Sequence, residues 1–137
     1  MSNLSVPAGF ERHTRRSGLT DPWEPIYARH STSGVSLAIR AGAAHANSRG
    51  LVHGGLITAL ADNAMGLSCG QRIENTSGLV TVSLSVDFVG FAKVGQWLEI
   101  RPDVIKTGKS LCFVTALALA DDCVCARASG VFKVVSG

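Results

Sequence analysis

The stretch His53-Gly-Gly-Leu-Ile-Thr-Ala-Leu-Ala-Asp62-Asn-Ala-Met-Gly-Leu-Ser-Cys-Gly-Gln71 decides the fold. From Leu56 onward the apolar residues Leu56, Ile57, Leu60, Ala61, Ala64, Met65 and Leu67 recur at three- and four-residue steps with no proline among them. That is the period of a helix, and so dense an apolar set predicts one that is largely buried. After turn residues around Glu74 to Gly78 the period changes. Val80, Val82, Leu84, Val86 and Phe88 alternate with Thr81, Ser83, Ser85 and Asp87, which predicts a half-buried strand carrying the two sets on opposite faces.

Working outward, strands are predicted near Ile26 to His30 and Val35 to Arg40, followed by a loop with Gly42, Asn47 and Gly50 that leads into the helix. Three more fit Gln96 to Lys106, Ser110 to Ala120 and Val124 to Val135, separated by the turn signals Thr107-Gly108 and Asp121-Asp122. Short connections make these last three antiparallel neighbours. Arg101-Pro102 predicts a bulge. Apolar residues at both alternating positions of Ser110 to Ala120 predict a central strand covered on both faces. The class is therefore α+β, one long buried helix wrapped by a curled antiparallel sheet of about six strands, in a single domain over residues 26–137. Residues 1–25, rich in Pro, Gly, Ser and Arg, read as an irregular arm, and Arg12-His-Thr-Arg15-Arg16 within it as a solvated face.

Composition bounds the function. A chain of 137 residues fits one core. With 46% apolar and 17% charged residues it is not disordered, and it holds apolar surface enough to share between subunits. The first ten residues lack the basic patch and apolar run of a secretion signal, and no stretch reaches the roughly 18 apolar residues of a membrane span. A cytoplasmic protein without membrane contact is expected. The charge of +3 suits a small anionic ligand, but no basic stripe interleaved with aromatics points to nucleic acid. Cys69, Cys112, Cys123 and Cys125 read as buried, reduced thiols. Cys123 and Cys125 at strand spacing share a face, but two ligands do not complete a tetrahedral zinc site, so no metal is expected.

The chemistry concentrates on the helix. Glycine costs about 1 kcal/mol in a helix interior, so Gly54 and Gly55 mark either a tightly packed helix start or a place where free amides meet a ligand. A helix amino terminus offers unpaired N–H donors and partial positive charge, which makes Gly54 a candidate oxyanion donor. Asp62 has only the uncharged Thr58, Ala59, Met65 and Gly66 as helical neighbours. It is off the solvated face, and a sequestered carboxylate is costly unless structure or function retains it. Eight positions separate Gly54 from Asp62, about 12 Å along a helix, too far to act on one reacting group. Two copies packed with helices antiparallel across a two-fold axis would bring Asp62 of one beside Gly54 of the other, so a homodimer is expected.

Asn47-Ser-Arg-Gly-Leu-Val-His53-Gly54-Gly55, Leu60-Ala61-Asp62, Phe88-Val-Gly-Phe-Ala-Lys-Val-Gly95 and Lys106-Thr-Gly-Lys109 resemble the PaaI-type hotdog-fold acyl-CoA thioesterases. The likeness runs from about Pro25 to the end and rests on an asparagine six residues before the histidine and an acid nine after it. It implies hydrolysis of a small aryl- or short- to medium-chain acyl-CoA, with coenzyme A as part of the substrate and no further cofactor. The Gly54 amide would hold the carbonyl oxygen with the Asn47 side chain assisting. Asp62 of the neighbouring subunit would activate water or attack directly, and Thr81 would help place the water. His53 would shape the loop, and His53, Gly55, Arg49 and Lys109 would contact substrate, with Arg72 and Lys106 as further partners for the phosphates. Such proteins often form dimers of dimers. The family's usual proline is absent from Gly90-Phe-Ala92. Two alternatives remain. Related hydratases carry a histidine five residues after the acid, where this chain has Leu67, and a non-catalytic acyl-CoA-binding protein would lack the acid.

Overall fold

The computed structural model describes residues 5–73 and 78–135. In chain order the elements are β1 (Glu11–Arg12), β2 (Tyr27–His30), β3 (Val35–Arg40), α1 (Gly54–Gln71), β4 (Gly78–Phe88), β5 (Trp97–Thr107), β6 (Leu111–Ala120) and β7 (Cys123–Val135). The predicted helix and all six predicted strands form. A seventh strand, β1, comes from the arm and pairs with β2. The predicted turn's residues 74–77 lie outside the described residues.

The strands make one antiparallel sheet in the order β1-β2-β3-β5-β6-β7-β4, the hotdog arrangement of a long helix against a single sheet. One face of it receives α1, which touches β3 to β7. Leu56, Ile57, Leu60, Ala61, Ala64 and Met65 of the helix are buried against Leu37, Ile39, Leu98, Ile100, Val114 and Phe132. Fully burying such a side chain contributes roughly 1.5–3 kcal/mol, so this layer carries most of the stability. No helix among the described residues is long and apolar enough to cross a membrane.

Strand irregularities correct the alternation read from the sequence. In β4 the register shifts between Thr81, opposite Phe132, and Ser83, opposite Val131. The extra residue, Val82, reverses the alternation. Leu79 and Thr81 thereby join Leu84 and Val86 on the helix side, while Val80 and Val82 face outward, 50% and 57% exposed. In β5 the bulge falls between Val104 and Lys106 instead of at Pro102, which keeps register with Ala116. Pairing with β3 has ended at Ile100, so the strand accommodates the proline without a bulge.

β6 is interior to the sheet but covered by α1 on one face alone. Cys112, Val114, Ala116 and Ala118 are buried, whereas Phe113 and Leu117 lie 40% and 44% exposed on the other side. All four thiols are free. Cys69, Cys112 and Cys125 are buried, but Cys123 is exposed, contrary to the shared face expected for it and Cys125. A register shift in the β6–β7 ladder at Ala118/Leu119 separates the two. The turn Asp121-Asp122 has φ of 45° and 69°, the left-handed pair that suits a two-residue hairpin.

Ser68 stitches α1 to β3. Its Oγ accepts from Val35 N–H at 2.8 Å and donates to the Ala64 carbonyl at 2.7 Å. A Cβ on Gly34 would fall 2.5 Å from that Oγ. Gly34→Ala is therefore expected to destabilise the fold by about 2 kcal/mol, the scale of an overpacked core. The measurement is urea unfolding, read as a lower midpoint at unchanged slope.

Candidate active site

The start of α1 sorts its amides. His53, extended at φ −64° and ψ 133°, caps the helix. Its Nδ1 accepts from Gly55 N–H at 2.9 Å, so in this tautomer the ring proton sits on Nε2. Its carbonyl accepts from Leu56 and Ile57 N–H at 3.0 and 3.2 Å. Gly54 N–H alone of these first amides has no hydrogen-bond partner among the described residues. Each glycine also permits a close approach. A Cβ on Gly55 would lie 3.1 Å from His53 Nδ1, and one on Gly54 would lie 3.2 Å from Cζ of Phe88, at the end of β4. Tight packing and a free donor thus coexist here.

The preceding loop is built by Asn47. Its Oδ1 accepts from Arg49 and Leu51 N–H at 2.8 and 3.1 Å, an Asx turn that leaves the amide nitrogen uncommitted among the described residues. Val52 N–H reaches the Ala92 carbonyl at 2.8 Å, and Val89 and Gly90 N–H both reach Cys125 O. These bonds hold the Gly90-Phe-Ala92 segment without a proline.

Asp62 lies two turns further along α1, about 12 Å from Gly54 by helical rise. It is half-buried, and its Oδ1 accepts from Thr81 Oγ1 at 2.7 Å. The β4 bulge is what aims Thr81 there. The pair lines a cleft of about 500 Å³ with Asn63, Leu67, Leu79, Phe132 and, from the arm, His13, Arg15 and Arg16.

That role of the arm is not visible in its composition. The arginines are exposed, as a solvated face requires, yet Arg15 and Arg16 stand on the cleft's rim. Arg16 Nε is 2.9 Å from Asp21 and 3.6 Å from Glu24, and Arg12 is 3.3 Å from Glu24. Glu24 also accepts from Ile26 N–H at 2.8 Å. Acids five to twelve residues downstream of the arginines were the available signal for an ordered arm. Burial pushes the His13 ring below its ordinary pKa of 6.5, against the pull of Glu24, so it is neutral at pH 7.

Other predicted residues lie apart. Arg49 belongs to the Asn47 loop and Lys109 to the β5–β6 turn, and neither they nor Lys106 nor Arg72 lines the cleft. Arg72 donates to the Thr32 carbonyl at 2.8 Å. Among the described residues no group of three or more His, Cys, Asp or Glu is placed to hold a metal. A carboxylate with a hydroxyl donor in a cleft that has an apolar wall is one half of a hydrolytic site, and a helix start with a free N–H is the other. One chain holds the halves about two turns apart on its helix, one at its start and one at its middle.

Known proteins share this architecture. The profile of the family described as "Thioesterase superfamily" matches residues 49–126. The chain is similar to "Putative esterase PA0474" of Pseudomonas aeruginosa, 37% identical over 132 residues that cover 96% of this chain and 98% of that one. It is 37% identical to human "Acyl-coenzyme A thioesterase 13" over 73 residues, 52% of this chain and 50% of the human protein. In three dimensions it resembles a mutant of phenylacetic acid degradation protein PaaI from Thermus thermophilus, with a TM-score of 0.71 and 21% identity. That match covers 79% of this chain and 91% of that one and speaks to the fold alone.

Proposed function

The chain belongs to the thioesterase superfamily and is a thioester hydrolase, and from that premise we propose that it cleaves acyl-coenzyme A carrying a small aryl or short- to medium-chain acyl group. The observation that carries the reading is the Asp62–Thr81 pair at the cleft, since a carboxylate held by a hydroxyl in a cleft of ligand size suits activation of water. The human relative's name supplies the coenzyme. Asp62 takes a proton from water as the water oxygen bonds to the thioester carbon. The negative oxygen that develops is met by Gly54 N–H of a second copy, assisted by the amide of Asn47. The carbon–sulfur bond then breaks, and the thiolate takes up the proton.

A dimer is what joins the halves. β4 is an edge strand of 11 residues, and a long bare edge invites pairing with another chain. Its Leu79 end lies near Gly70 of α1 and its Phe88 end against Gly54. If two β4 edges pair antiparallel about a two-fold near mid-strand, the Phe88–Gly54 corner of one chain meets the Thr81–Asp62 corner of the other. Arg49, Lys109, His53 and Gly55 are then free to meet the coenzyme from the rim. Two such dimers stacked form the tetramer common in proteins of this kind.

The experiment is free-thiol release from a panel of acyl-CoAs. Hydration of an enoyl-CoA without thiol release would overturn the reading, as would binding without turnover. Within the panel, Thr81→Val is expected to lower kcat at least about tenfold, the lower end of what one hydrogen bond to a charged group is worth. KM should change little and Thr81→Ser should recover the rate. Equal rates for all three proteins would remove Thr81 from the mechanism.

A further inference from the structure

Resting on the thioesterase reading, we infer that Arg15 selects acyl groups ending in an anion, a carboxylate at the far end of a short chain or ring. The cleft beside Asp62 has two unlike walls. Leu67, Leu79 and Phe132 make one apolar, while the arm supplies a polar roof through His13, Arg15 and Arg16. The roof's charges are not equivalent. Arg16 is neutralised by Asp21 and Glu24, and His13 is kept neutral by its burial. Among the described residues Arg15 makes no hydrogen bond or ion pair, and Asp62, already engaged by Thr81, is the one carboxylate that lines the cleft. Among the described residues, Arg15 is therefore a cation lining the cleft without a counter-charge, in a space that also has an apolar wall.

Position decides which anion it meets. Asp62 must lie at the reacting carbonyl, so a group lining the same cleft of about 500 Å³ is within an acyl chain's reach. That volume is in the range of small-ligand pockets and holds an acyl group with its end group. The diphosphate of coenzyme A is kept far from the sulfur by the extended pantetheine arm. A guanidinium forks onto a carboxylate with two parallel hydrogen bonds, weakened by solvent at an open rim.

The test compares thiol release from glutaryl-CoA and from pentanoyl-CoA, which match in length and differ in the terminal carboxylate, and repeats both acyl groups on pantetheine. The wild-type chain is expected to favour the glutaryl thioester about tenfold in kcat/KM. Arg15→Gln should bring that ratio to near unity through a higher KM for glutaryl, and Arg15→Lys should restore part of it. A wild-type chain without the preference, or a ratio that Arg15→Gln leaves in place, would overturn the inference. So would a loss shared by both CoA thioesters and absent from both pantetheine thioesters, because Arg15 would then meet the coenzyme's phosphates. Thiol release from none of the thioesters would instead bring down the thioesterase reading itself.

Discussion

Asp62→Asn is expected to lower kcat at least about 100-fold while the chain stays folded and associated, the scale on which a positioned general base contributes. Asparagine preserves the shape of the side chain and the oxygen that accepts from Thr81 Oγ1 at 2.7 Å, so what disappears is the capacity to take a proton. The site is half-buried on the helix, and a substitution that keeps its hydrogen bond should alter stability by no more than about 0.5 kcal/mol. KM should be close to unchanged, because an interaction made only as the proton moves lowers kcat and kcat/KM together. Asp62→Ala should lose as much rate and additionally leave the Thr81 hydroxyl without its partner. Steady-state thiol release beside urea unfolding of each variant checks both halves of the claim. A variant that turns over at the wild-type rate would end the assignment of Asp62.

The reason Asp62 could be singled out before any geometry is that its signal is local. An acid whose neighbours one turn away are Thr58, Ala59, Met65 and Gly66 stands out on a helix whose period is itself unambiguous. The same holds for His53-Gly54-Gly55, because capping and a free amide are properties of a helix end and need no knowledge of the rest of the fold. For Thr81 the alternation points to the wrong face of the strand. Val80 and Val82 are apolar and so extend the alternation begun at Leu84, and nothing in that pattern betrays that Val82 is an extra residue which reverses the phase. Apolar side chains pointing outward from an edge strand are indistinguishable in sequence from apolar side chains pointing into a core.

The arm was illegible for the opposite reason. It has no period at all, and the arginines that rim the cleft look like any solvated cluster until Asp21 and Glu24 are seen to hold Arg12 and Arg16 in place. Arg49 and Lys109 illustrate a further limit. They are plausible in charge for a phosphate, but a basic residue in a turn carries no information about which end of the sheet it occupies. Neither lines the cleft of its own chain.

Gly54→Pro is expected to cost 10²- to 10³-fold in kcat, the usual penalty for one oxyanion donor, with little effect on folding. Proline is well tolerated at the first position of a helix. The residue before it must be extended, and His53 already lies at φ −64° and ψ 133°. The N–H that proline deletes has no partner among the described residues, so no backbone bond is lost. The new ring must displace the Phe88 ring slightly, 3.2 Å from the Cβ position, and within its own chain that ring is 51% exposed. The variant also tests the shared site. Refolded as an equimolar mixture with Asp62→Asn, half of the dimers combine the two chains at random. Each of these holds one intact site, made of Gly54 from one chain and Asp62 from the other, so about a quarter of wild-type turnover should return. Chains that each used their own Gly54 and Asp62 would regain nothing on mixing. Activity that stays at the level of the single variants, in a mixture whose heterodimers are verified by mass, would show that the helix tip and the acid do not act on the same carbonyl from opposite subunits.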